Sequence, residues 1–268
     1  MSIPGLEKIV SEAVSISKQL DGHLTEREVE FLAVLPFLNI KGQILEIGTY
    51  KGKSTIVLAK SARAAGHDII NSCDPLTLPS ITDPECADIG LLLEILKNNL
   101  QQFGVEDIVK FEQTKSEELS MKWDLPIKIL WIDGDHTYLG SLNDLKTFEN
   151  FLEPGSIVAF HDVLHKFDGP IKVFVENILS SDKYGDCGLC GSIGWGQFIG
   201  EFSISKKQQK QKKLIHKQVS RLIPHISRIN NGGKLNNLPY NFFRALVPHS
   251  SIHPDKWIQE RNNWDKTN

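Results

Sequence analysis

The 268-residue chain has no apolar run approaching the roughly 20 residues that span a bilayer, which excludes a transmembrane helix. Its first residues, Met1-Ser2-Ile3-Pro4-Gly5-Leu6-Glu7-Lys8, lack the basic stretch and apolar core of a secretory signal, so none is expected. The 4 cysteines are too few and too unevenly placed for a disulfide scaffold. That favours a reducing compartment, and a cytoplasmic location is expected. Internal repeats are lacking, and so is a large excess of either charge, with 30 Lys and Arg against 33 Asp and Glu. What the sequence does have is length and apolar content, 40% of residues, for one large domain with an extension.

The near-neutral total hides an asymmetry. Residues 201–268 carry 13 Lys and Arg against 4 Asp and Glu, whereas the first 200 residues carry 17 against 29. An acidic body argues against nucleic acid as its ligand. The basic tail reads as a surface for a membrane, for an anionic partner or for the body itself, or as a solvated run.

The spacing of Leu6, Ile9, Val10, Ala13, Val14, Ile16 and Leu20 predicts an amphipathic helix over residues 4–20. Thr25 and Glu28 have capping-box spacing and open a second helix that runs to about Phe37. From there strands alternate with helices. Strands are predicted at 43–48, 68–74, 108–111, 127–133, 156–161 and 192–199, and helices at 54–65, 88–103, 139–151 and 171–179. Such alternation builds parallel βαβ units and a sheet covered on both faces. The expected fold class is α/β, Rossmann-like and doubly wound. It has N-terminal helices over 1–40, a central domain over 41–203 and a C-terminal extension over 204–268. In that extension residues 206–213 read as an exposed helix or linker, and Asn230-Asn231-Gly232-Gly233 breaks the chain. Phe242, Phe243, Leu246, Trp257 and Trp264 are expected to dock on the body or on another subunit, which leaves a homo-oligomer open.

In a doubly wound sheet the ligand lies outside the carboxyl ends of the strands, where strand order switches. The first such loop is Glu46-Ile47-Gly48-Thr49-Tyr50-Lys51-Gly52-Lys53-Ser54-Thr55. A P-loop needs four residues between its glycines before the Lys-Ser pair, and Gly48 and Gly52 enclose only three. A dinucleotide fingerprint needs three glycines at another interval. The pattern present is an acid two residues before the first glycine and then a small-residue turn into a helix, E-x-G-x-x-x-G-x-S. Asp74 ends the second strand, 26 residues after Gly48, where an acid can accept from two ribose hydroxyls. Thr114-Lys115-Ser116-Glu117 follows the third strand.

The richest segment is Asp133-Gly134-Asp135-His136-Thr137-Tyr138, after the fourth strand, which faces His161-Asp162 after the fifth. Three carboxylates and two imidazoles at one mouth either bind a divalent cation or exchange protons. Cys187-Gly188-Leu189-Cys190 is a lone C-x-x-C without a second pair, and it reads as a glycine-rich loop near the mouth.

In combination these elements resemble class I S-adenosylmethionine (SAM)-dependent methyltransferases, in the branch of macrocin-type sugar O-methyltransferases. Leu142-Asn143-Asp144-Leu145, Leu152-x-Pro154-Gly155-Ser156 and Ser192-Ile193-Gly194-Trp195-Gly196 extend the match over roughly residues 40–200. The resemblance implies a seven-stranded, mostly parallel sheet. It implies SAM as cofactor, bound by Glu46, Gly48, Thr49, Tyr50, Gly52, Ser54, Asp74, Ser116 and Asp133. It also implies methyl transfer to a hydroxyl of a small molecule, such as a sugar or glycosylated metabolite. The related catechol and caffeoyl-coenzyme A enzymes hold a divalent metal. Carried over, their ligands fall on Asp133, His161 and Asp162, with Mg²⁺ or Mn²⁺ as the ion. His161 departs from that pattern, because the metal enzymes have a carboxylate there and imidazole is a poorer ligand for Mg²⁺. Without a metal, His136 or His161 becomes the general base beside Asp133. A phosphotransferase using the Gly52-Lys53-Ser54 turn and a non-catalytic binding module are the alternative functions.

Overall fold

Five short parallel strands form one side of the sheet in the computed structural model, which describes residues 3–67, 69–77, 89–226 and 237–264. They are β1 (Gln43–Ile47), β2 (Ile70–Cys73), β3 (Val109–Glu112), β4 (Ile127–Ile132) and β5 (Leu152–Phe160), all parallel. Two more strands, β6 (Tyr184–Cys190) and β7 (Ile193–Phe198), complete the order β3-β2-β1-β4-β5-β7-β6, with β7 antiparallel to both neighbours. This is the expected Rossmann-like, doubly wound, mostly parallel sheet. Strand order reverses between β1 and β4, so the crevice for a ligand opens at their carboxyl ends. Asp68, Pro79, Pro84 and the Gly232-Gly233 break lie outside the described residues.

Successive strand residues point to opposite faces, and each face buries its own core. On one face Ile44, Ile129, Trp131 and Ile157 pack beneath α1 (Leu6–Ser17), α2 (Glu26–Val34), α3 (Lys53–Ala64) and α4 (Ile89–Gln102). On the other Leu45, Leu130, Ile132 and Phe160 meet α5 (Ser116–Ser120), α6 (Tyr138–Phe148) and α7 (Asp168–Val173), which continues as a π-helical turn over Phe174–Leu179. The C-terminal extension adds to both faces. Its helices α8 (Lys206–Ser220) and α9 (Leu238–Ala245) join the second core through Ile215, Val219 and Tyr240, while α10 (Pro254–Asn262) sends Trp257 and Ile258 into the first. Trp257 meets Phe31 and Trp195 edge-on, and Arg261 of α10 bonds Asp186 at 2.7 Å.

Three sequence readings are corrected. The strand expected at 156–161 begins earlier: β5 starts at Leu152 and includes Pro154 and Gly155, through an irregular register against β4. Cys187 and Cys190 sit in β6 rather than a loop, three residues apart and therefore on opposite faces, where burial pushes both thiols up to about 12 and makes them inert. The lysine-rich run is the helix and not the linker, and it is not exposed all round: in α8, Gln208 and Lys212 are buried, with Lys212 Nζ donating to the carbonyls of Ser181 and Tyr184. A lysine stem packs like a hydrocarbon when its ammonium finds acceptors.

Lys128, on entering β4, is buried as well, with Nζ 3.2 Å from the Pro36 carbonyl and 2.6 Å from His67 Nε2. Burial lowers its ammonium from 10.5 to about 8. Between those values the unfolded chain binds more protons, so stability rises with pH across the window, and below it the penalty is present in full. That penalty is about 3 kcal/mol, offset in part by hydrogen bonds worth about 1 kcal/mol each. Lys128→Met is expected to stabilise the protein by about 1–2 kcal/mol near neutral pH and to flatten the rise toward pH of about 10. Thermal melts of both proteins across that range check it, and parallel slopes would refute the account.

Candidate active site

The glycine loop is assembled from beneath. Glu46 on β1 is fully buried, and its two oxygens accept from Ser54 Oγ (2.5 Å), Thr55 Oγ1 (2.5 Å) and Ser72 Oγ (2.7 Å). Burial raises this carboxyl to about 7, with the three hydroxyls acting against the rise. Glu46 and Ser54, expected on the cofactor, are therefore turned into the floor, where they tie β1, β2 and α3 together. Above them Gly48 takes φ +92, and a Cβ there would run into the carbonyl of Asp133 at the end of β4. Backbone bonds fix this contact: Gly48 N donates to Cys73 O, and Asp133 N donates to Ile47 O. Gly52 closes the loop ahead of α3, against Leu96.

Asp74, past the end of β2, holds the same loop from the side. Its Oδ2 accepts from the amides of Thr49 (2.9 Å) and Tyr50 (2.8 Å), and its Oδ1 from Leu76 N (2.7 Å). A carboxylate has about four acceptor sites, so room remains for one ribose hydroxyl rather than the expected two. Ser116 opens α5 and donates to buried Asp144 at 2.5 Å. Burial raises Asp144 to about 7.

The second half of the site is a ring of charges at the ends of β4 and β5. His161 Nδ1 lies 3.0 Å from Asp133 Oδ1 and 3.4 Å from Asp162 Oδ1. On its other side Nε2 is 3.8 Å from Glu28 Oε2. His136 Nε2 is 3.3 Å from Asp162 Oδ2 and 3.7 Å from Asp133 Oδ1, and its ring stacks on Phe167. Burial opposes charge on His161, but Asp133 and Asp162 raise its pKa well above the usual imidazole value. Burial likewise opposes ionisation of both aspartates, and the imidazoles overcome it and hold them low. The structure thus brings Asp133, His136, His161 and Asp162 together. Asp135 instead caps the turn into α6, accepting from Thr137.

The metal expectation meets this geometry badly. A metal ligand needs a free lone pair, whereas His161 Nδ1 is hydrogen-bonded to Asp133 and faces Asp162, the two carboxylates that would be its co-ligands. Among the described residues no group of three or more His, Cys, Asp and Glu side chains is placed to hold a metal ion. The set does not fit Mg²⁺ or Mn²⁺.

Glu28 is legible in the sequence only as a helix cap. It does bond Thr25, but its Oε1 also accepts from Ser192 N (2.5 Å) and Ser192 Oγ (2.7 Å). Burial works against its charge, yet His161, Thr25 and Ser192 bring it down to about 2. Backbone strain marks the same region. Among the described residues the non-glycine positions with positive φ are Tyr50, Leu76 and Asp162, each following the carboxyl end of a parallel strand. Such conformations persist where a site over-determines them. A cavity of about 310 Å³ lies at the opposite end, beside Gln43, His67 and Lys128, and holds none of these acids.

A glycine loop pressed on an acid–imidazole cluster across the switch point of a Rossmann-like sheet thus forms the mouth of the crevice. Residues 45–163, which contain both, match the family described as "Methyltransferase domain". Solved structures share the fold. The O-methyltransferase NovP matches with TM-score 0.57 and 15% identity, covering 72% of this chain and 98% of that one. The SAH-bound Podospora anserina methyltransferase PaMTH1 gives 0.52 and 14%, covering 74% and 89%. TomG from Streptomyces achromogenes, an O-methyltransferase involved in tomaymycin synthesis and solved with SAM, gives 0.51 and 16%, covering 72% and 90%. At these identities the likeness establishes the fold. Among the described residues no helix is long and apolar enough to cross a membrane.

Proposed function

We propose that the protein is a SAM-dependent O-methyltransferase acting on a hydroxyl of a small molecule, a sugar or glycosylated metabolite included, with no nucleic acid as substrate and a cytoplasmic location. The observation that carries this is the contact of the Gly48 loop with Asp133. It sets the nucleoside cradle directly against the Asp133–His136–His161–Asp162 cluster. SAM supplies a methyl group that is already electrophilic on its sulfonium. The protein has to place a hydroxyl in line and accept its proton. His136 is the proposed base, since its ring is the more open of the two imidazoles and faces two ionised aspartates that stabilise the imidazolium it becomes. His161, already protonated, keeps Asp133 and Asp162 oriented. No step is assigned to a metal.

The phosphotransferase alternative loses its key group. Lys53 Nζ donates to the carbonyls of Leu20 and Gly22, both at 3.2 Å, and is committed to the α1–α2 connection. Titration calorimetry separates the two readings. SAM and its demethylated product are expected to bind in the micromolar range, and Asp74→Ala to weaken both at least about tenfold by freeing the Thr49 and Tyr50 amides. Lys53→Ala should leave SAM binding unchanged. Binding of ATP that disappears in Lys53→Ala, with none of SAM, would overturn the assignment.

A further inference from the structure

Two stripes on the C-terminal extension take no part in the site. Residues 206–221 contain seven basic residues and no acid. At 100° per residue Lys206, Lys210, Lys213, Lys217 and Arg221 fall within about 80° of one another. This arc lies opposite the buried face of α8, which carries Gln208, Lys212, Ile215 and Val219. All five are exposed, and among the described residues none of them forms an ion pair. Exposed Leu214 adjoins the stripe on one side.

On that same side, beyond Leu214, Gln218 Nε2 bonds the Leu246 carbonyl at 2.8 Å and ties the end of α9 to α8. α9 has its own outward stripe: Leu238, Phe242 and Leu246, spaced i, i+4, i+8, are 58%, 63% and 48% exposed. Its inward face is committed to the active-site mouth. Tyr240 OH donates to the His165 carbonyl (3.0 Å) and Arg244 Nε to the Leu164 carbonyl (3.1 Å), in the segment that follows Asp162.

We infer that this face docks on an anionic bilayer, with Leu238, Phe242, Leu246 and Leu214 entering the headgroup–acyl boundary and the α8 stripe meeting lipid phosphates. Two complementary chemistries lie side by side on this face. Apolar side chains alone would suit many partners, and lysines alone would stay solvated. A row of large apolar groups flanked by an unneutralised basic row is the order of groups that a membrane surface presents in complement. Because α9 also grips the segment after Asp162, docking would bring the mouth of the site to the lipid surface. The binding is peripheral and reversible.

Flotation of the full-length protein tests it, with neutral phosphatidylcholine vesicles and with vesicles in which about a third of the lipid is phosphatidylglycerol. The protein is expected to float with the anionic vesicles only, and to be released as salt rises to about 0.5 M. The triple variant K210E/K213E/K217E should bind at least about tenfold more weakly. F242S/L246S should bind several-fold more weakly at every salt concentration, because it removes the apolar part and leaves the charge. Both variants should keep the melting temperature and the SAM affinity of the parent. Equal flotation with neutral vesicles, no flotation with either, or binding indifferent to both variants would overturn the inference. So would a charge-dependent interaction with an RNA oligonucleotide, or with a second copy of the chain in light scattering, that occurs while vesicles are ignored. The parent's dependence on lipid charge decides the matter even if a variant fails to fold.

Discussion

His136→Gln is expected to lower kcat by about two to four orders of magnitude while leaving SAM affinity within about twofold. The imidazole lies between Asp162 and Asp133 at 3.3 and 3.7 Å, and its ring is braced by Phe167. Glutamine keeps a polar group of similar reach there but cannot take a proton at neutral pH. The lost function is therefore proton acceptance, not positioning of the cofactor. His161→Gln should behave differently. It removes the cation that lies among Glu28, Asp133 and Asp162, and breaking a buried charge set of this kind costs about 3–5 kcal/mol. The two histidines thus separate by readout: one variant folds and fails in turnover, the other fails in stability first. Stopped assays with a hydroxylated acceptor, together with melts and SAM titrations, measure both. If His136→Gln turned over at the parental rate, the base would have to be sought elsewhere in the cluster.

Why one imidazole is separable from the other only in three dimensions shows where sequence reasoning stops. The strand ends can be read because a parallel strand is a short apolar run that finishes on a distinctive residue: Gly48, Asp74, Asp133 and His161 all follow such runs. Convergence of the β4 and β5 ends follows from topology, since consecutive βαβ units lie side by side. What is not legible is the partner on each side chain's far side. Glu28 gives the capping-box signal and is indeed a cap, but nothing in Thr25-x-x-Glu28 tells that the same carboxylate faces Ser192, 164 residues on, and His161. Glu46 reads toward the ligand because an acid beside a glycine turn has two faces to choose from. Ser54, Thr55 and Ser72 decide the choice. β6 escapes because Gly185 and Gly188 dilute its pattern, although their lack of side chains is what admits Gln208 and the Trp195 ring. α8 misleads for the converse reason. Its lysines dominate the composition, while the four inward positions that dock it are spread through polar residues.

The contact that joins the two halves of the site also yields the largest structural effect. Gly48→Ala places a methyl group against the Asp133 carbonyl and the Gly134 amide, in a backbone conformation, φ +92, that L-residues rarely adopt. Two penalties are therefore superimposed, and a control separates them. Gly66 has φ +80 with nothing within 4 Å of where a Cβ would lie, so Gly66→Ala carries the conformational cost alone, about 1 kcal/mol. Gly48→Ala should exceed that by about 1–3 kcal/mol, the range for forcing an extra methyl into a packed site. The surplus has a functional counterpart. The chain can relieve the clash only by lifting the 48–52 turn off β4, which pulls the Thr49 and Tyr50 amides from Asp74 and moves the cradle away from His136. SAM affinity should fall at least about a hundredfold in Gly48→Ala and stay unchanged in Gly66→Ala. Equal destabilisation by the two substitutions, with SAM still bound, would mean that the loop and Asp133 are not in contact in solution, and the proposed alignment of methyl donor and base would go with it.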